Sequence, residues 1–167
     1  MKRNILIVAA FIGSLFLASC GENKDAKFMK QADDMFAQAE QDLQGIDNID
    51  DFFTFYGELQ EKKDGILMEM MEAYVQTDST VEAVPEEVRL HIYNRATEYN
   101  KVEAVKYAEL FDPFLANLEN ALEANDKEAA KNALDAMMPY SMYDNVVPEL
   151  QERAQVAVVK AEAMGLL

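Results

Sequence analysis

Tryptophan is absent from this 167-residue chain, and cysteine and histidine occur once each, as Cys20 and His91. A single cysteine has no partner within the chain, so no disulfide framework can support the fold. Basic residues are also scarce, with 15 Lys and Arg against 31 Asp and Glu, a net charge of −16. Binding nucleic acid through phosphate neutralisation needs a basic face, so no nucleic-acid partner is expected. No segment alternates apolar and polar residues with the period of a strand, and no long internal repeat is evident. The expectation is an all-α chain.

The chemistry of common active sites is missing as well. Di-iron helical bundles need Glu-x-x-His from two helices, which one histidine cannot supply, and His91 follows Glu87 at four rather than three. Past residue 20 the only serines are Ser79 and Ser141, neither in a Gly-x-Ser-x-Gly elbow. Covalent c-type haem, phosphate-binding and dinucleotide loops lack their motifs. The acidic run Asp47-Asn48-Ile49-Asp50-Asp51 lacks the EF-hand ligand at its third position and the glycine at its sixth. An enzyme is therefore not expected, and no cofactor is implied.

What is present begins with the N-terminus. Lys2 and Arg3 precede an apolar run from Ile5 to Leu17, 13 residues interrupted only by Gly13 and Ser14. A permanent membrane span needs about 20 residues, so the run has the dimensions of a secretory signal peptide. Leu17-Ala18-Ser19-Cys20 resembles the lipobox of bacterial lipoprotein precursors. That resemblance implies cleavage between Ser19 and Cys20, lipidation of Cys20, and attachment to the lipid bilayer through the acylated cysteine. Gly21 rather than Asp after the cysteine favours the outer membrane where a host has two. Removal of residues 1–19 leaves 13 Lys and Arg against 31 Asp and Glu, a net of −18.

The domain reading is therefore 1–19 signal peptide, 20–26 lipidated cysteine and short tether, and 27–167 a single helical domain. Apolar residues recur at helical spacing along it: Phe28, Ala32, Met35, Phe36, Ala39 and Leu43; then Phe52, Tyr56, Leu59, Ile66, Met70 and Tyr74; then Val88, Ile92, Ala96, Tyr99, Val102, Val105 and Phe111. Lys63 falls on the second stripe, where its stem can lie along apolar surface. Gly45 marks one helix end, Asp47 or Asn48 can cap the next, and Asp126 can cap another. Thr77 to Pro85 reads as a loop. These segments, at about 26–44, 47–76, 86–124 and 127–163, predict an up-down-up-down four-helix bundle, with helices 3 and 4 bent at Pro113 and at Pro139 and Pro148.

The acids are unevenly spread. Between Lys30 and Lys62 stand nine acidic residues and no basic one, and a second acid-only stretch lies between Lys106 and Lys127. In an up-down bundle the turns at Gly45 and Asn125 would share one pole, predicting an acidic end remote from Cys20. Such a face would be solubilising, would dock a basic protein or peptide partner, or would hold hard cations loosely.

Two further groups stand out. Met137, Met138, Tyr140, Met142 and Tyr143, between two prolines, form a candidate partner patch or close the core over a kink. Met68, Met70 and Met71 with His91 are soft donors that would suit a copper ion, or else adaptable core filler. The preferred expectation is a membrane-anchored, non-enzymatic binding or scaffold module. The alternative is a small-ligand or soft-metal bundle working through the methionine clusters.

Overall fold

The computed structural model of the chain describes residues 23–74 and 83–167. The expected signal-peptide segment, the expected cleavage site at Ser19 and Cys20, and most of the expected loop at 77–85 lie outside those residues. The described chain is all-helical, with α1 at Lys24–Gln44, α2 at Ile49–Tyr74, α3 at Glu86–Glu123, α4 at Lys127–Met137 and α5 at Pro148–Ala163. Among these residues no helix is long and apolar enough to cross a membrane.

Local chemistry sets the ends. α1 starts three residues earlier than the expected tether allows, because the Asn23 side chain accepts from the Asp25 amide and caps it. The far end of α2 then locks this start: Lys24 donates to the Ala73 carbonyl and lies over the Tyr74 ring, whose hydroxyl donates to Asp25. Asn48 caps α2 by accepting from the Asp51 amide at 2.9 Å. Gly45 ends α1 at a φ of −86°, so it supplies no left-handed residue there. That conformation falls to Asn125, at φ 54°. The Asp126 amide reaches back to the Ala121 carbonyl and that of Asn125 to Leu122, a Schellman closure before Asp126 caps α4.

The 38 residues of α3 make a spine about 57 Å long. Its first half packs with α1 and α2, burying Phe28, Phe36, Leu59, Tyr74, Val88 and Tyr99. Its second half packs with α4 and α5, burying Leu115, Leu118, Leu122, Ala130, Leu150 and Ala157. Phe52 and Tyr107 belong to the junction, where the α1–α2 turn meets the middle of α3. Each fully buried Phe or Leu contributes about 1.5–3 kcal/mol, so these side chains carry most of the fold.

Two expectations change. The segment over 127–163 is two helices rather than one bent helix. α4 ends in a short 3-10 turn at Met138–Tyr140, and Pro148 opens α5 in its first turn, where its missing N–H costs nothing. Pro113, by contrast, sits inside an unbroken α3. The two acidic turns also do not share a pole. The turn at 47–50 lies beside Glu109, Leu110 and Pro113, and the turn at Asn125 is 12 residues further along the spine, about 18 Å away.

Candidate partner groove

The middle of α3 carries the polar centre of the molecule. Tyr99, Glu103, Tyr107, Phe111 and Leu115 follow one another at intervals of four and are all buried, so a carboxylate occupies a core position. Val102 and Val105, expected on that stripe, are 45% and 52% exposed instead. Glu103 Oε2 accepts from the Tyr143 hydroxyl at 2.8 Å. Its other oxygen and the Tyr99 hydroxyl are buried with no well-aligned hydrogen bond, although the carboxyl lies close enough to act on the phenol. Burial, reinforced by Glu103, pushes the Tyr99 and Tyr143 phenols well above their ordinary range and raises Tyr56 less. Lys63 lies over the Phe36 and Tyr99 rings, and burial lowers its ammonium while the Glu103 charge works against that lowering.

This centre holds the segment after α4 against the spine. Tyr143 is bound to Glu103, the Asn145 amide donates to the Asn100 carbonyl at 2.6 Å, and Tyr107 donates to the Tyr140 carbonyl at 3.0 Å. The Tyr143 ring packs 4.3 Å from Tyr107 and edge-on to Phe52 and Tyr56. The fixed segment then sets Tyr140 between Phe53 and Phe114, with its hydroxyl donating to Asp50 at 2.7 Å.

A groove of about 400 Å³ opens at this point. Ile49, Leu110, Pro113, Phe114 and the Tyr140 ring give it apolar walls, and Asp47, Asn48, Asp50 and Glu109 give it polar ones. Lys106 approaches Glu109 only at 4.0 Å. Pro113 also removes the helical hydrogen bond that the Glu109 carbonyl would receive from position 113. The groove thus offers acceptors and negative charge beside aromatic surface.

The patch expected over 137–143 is divided. Tyr143 is 5% exposed and belongs to the core, and Met137 packs against the same cluster. Met138 and Met142 are 65% and 83% exposed, and only Tyr140 lines the groove. Tyr143 and Met137 thus close the core at this break, with the Tyr143 hydroxyl on Glu103 and its ring among Phe52, Tyr56 and Tyr107.

The soft donors are dispersed too. Met70 is buried with Phe28, Tyr74 and Val88, whereas Met68, two residues away on the other side of α2, is 61% exposed, and Met71 is half-buried. His91 lies 2.9 Å from Asp33. Among the described residues no group of three His, Cys, Asp or Glu is arranged to hold a metal ion.

Sequence reasoning missed both Glu103 and the groove. Nothing local marks Glu103 as buried, since its partner Tyr143 lies 40 residues on. The acid-rich stretch at 47–51 was visible, but its apolar neighbours come from α3. No protein-family profile, curated protein or solved structure matches this chain.

Proposed function

We propose that the chain is an envelope lipoprotein, anchored in the bilayer through acylated Cys20, and that its helical domain is a non-enzymatic binding module for a basic protein or peptide segment. The observation that carries the reading is the groove in which Asp47, Asp50 and Glu109 surround Leu110, Pro113, Phe114 and Tyr140. A Lys or Arg flanking an aromatic or aliphatic side chain would match both its charge and its apolar walls. Clustered acids with one net sign also speed the encounter with a cationic partner.

The anchor is supported by Lys2, Arg3, the apolar run and the lipobox, and Gly21 favours the outer membrane of a two-membrane host. We read the helices as two up-and-down groups that share α3, with α5 returning beside α4 so that Lys127 donates to the Met164 carbonyl. α1 begins four residues after Cys20 and is 21 residues long, so the groove at its far end would stand about 30 Å beyond the anchor. At that distance it would stand clear of anionic headgroups, which would repel it.

The test is calorimetric titration of the protein with a synthetic peptide of alternating Arg and Leu at low and at high salt. Binding that weakens at least about tenfold between the two, and that protects groove amides from hydrogen exchange, is expected. Salt-independent binding, or protection elsewhere, would refute the assignment. Mass spectrometry of the membrane-extracted chain tests the anchor separately, through a diacylglyceryl mass on Cys20 that Cys20→Ser abolishes.

A further inference from the structure

We infer that the outward face of α5 is a self-association surface, pairing antiparallel with α5 of a second copy of the chain. The inward side of α5 carries Leu150, Ala157 and Ala161, all buried. The opposite side carries Glu152, Gln155, Val156, Val159 and Lys160, which line a shallow open depression. Val156 and Val159 are 51% and 59% exposed, and the spacing of 152, 156, 159 and 163 is that of a helix-pairing seam.

The charges select the occupant. Glu152 stands four residues before Val156 and Lys160 four residues after it. An antiparallel pair with its two-fold axis at Val156 therefore sets Glu152 of each copy against Lys160 of the other, with the valines between them. Such a contact is isologous and closes at two copies. A parallel pair would place Glu152 against Glu152 and Lys160 against Lys160, which repels at both ends.

Neither Glu152 nor Lys160 makes an ion pair with a described residue, so both are free to serve a partner. Within the depression Glu152 balances Lys160, whereas the chain as a whole carries −16 and repels its copies elsewhere. A 16-residue helix is about 24 Å long, and a single helix pair buries less than the roughly 1,000 Å² of a strong interface. The dimer is therefore weak and concentration-dependent.

The experiment is sedimentation velocity of the full chain in detergent, over a concentration series, for the wild type, Glu152→Lys, Lys160→Glu and the double reversal. The wild type dimerises, each single reversal weakens association on the order of tenfold, and the double reversal restores it. Circular dichroism confirms that each variant remains helical, as substitutions at exposed positions allow. In a Cys20→Ser background, Val156→Cys forms a covalent dimer on oxidation and Leu67→Cys, on α2, does not. A wild type that stays monomeric throughout, single reversals that associate as well as the wild type, or a double reversal that fails to recover would each overturn the proposal.

Discussion

The Tyr143 hydroxyl donates to Glu103 Oε2 at 2.8 Å inside the molecule, where Glu103 is 2% exposed and Tyr143 5%. The bond joins the segment after α4 to the spine helix, and Tyr140 reaches its place in the groove as a result. A buried carboxylate deprived of its donor keeps its full desolvation cost, whereas replacing both partners by apolar groups removes that cost. Tyr143→Phe should therefore destabilise the fold by about 1–3 kcal/mol. Adding Glu103→Leu should recover most of the loss. Urea denaturation followed by circular dichroism measures both, and equal midpoints for wild type and Tyr143→Phe would show that the bond contributes nothing.

Alkaline pH should unfold the chain through its buried phenols. Burial holds the Tyr107 phenol up to about 12, and burial together with Glu103 pushes Tyr99 and Tyr143 further up. A folded-state pKa above the unfolded value of about 10 favours the protonated, folded form. Its stabilising contribution is complete below about pH 10 and is lost as pH rises from there through the folded value. Phenolate absorbance and loss of helical dichroism should therefore rise together above about pH 10. Tyr107→Phe should make the loss of stability with pH shallower, and phenolate signal from all tyrosines in a fully helical chain would contradict the account.

Gly57 and Gly65 weaken α2 without a structural return. A Cβ at either position meets nothing within 4 Å, and both positions are exposed. Gly57→Ala and Gly65→Ala should each stabilise the protein by roughly 0.5–1 kcal/mol, by restricting the unfolded chain and improving helix propensity. Thermal melts should move upward by about 1–4 °C per substitution, and unchanged melts would mean that α2 frays independently of the cooperative unit.

The groove makes a prediction of its own. Asp47→Asn with Glu109→Gln removes two charges while leaving the Asp50–Tyr140 hydrogen bond in place. Affinity for an Arg- and Leu-containing peptide should fall on the order of tenfold, with the loss shrinking at high salt. Phe114→Ala should weaken binding equally at both salt concentrations, because it removes apolar surface rather than charge. Titration at two ionic strengths separates these outcomes, and a charge variant that binds like the wild type would remove the acids from the site.

Much of the fold was legible because its signals are local. The α1 stripe of Phe28, Ala32, Phe36, Ala39 and Leu43 is buried as its spacing predicts, and Asn48 and Asp126 cap the helices that follow them. The stripe of α3 was misplaced by about one residue toward Val102 and Val105, because hydropathy cannot assign a core position to Glu103. Lys63 lies on its stripe over aromatic rings, as an alkyl stem with a charged end allows.

The sequence by itself determined the helical class, most helix ends and the resemblance at Cys20, since periodicity and capping act over three or four residues. Only the tertiary structure decided that α3 serves two groups of helices, that Tyr143 turns inward, and that residues 47–50, 109, 110, 113, 114 and 140 line one open groove. Those outcomes depend on contacts between segments tens of residues apart, such as Tyr143 with Glu103 and Tyr140 with Asp50. The energy of such contacts depends on what each partner meets when buried, and that is set by packing rather than by neighbours in the chain.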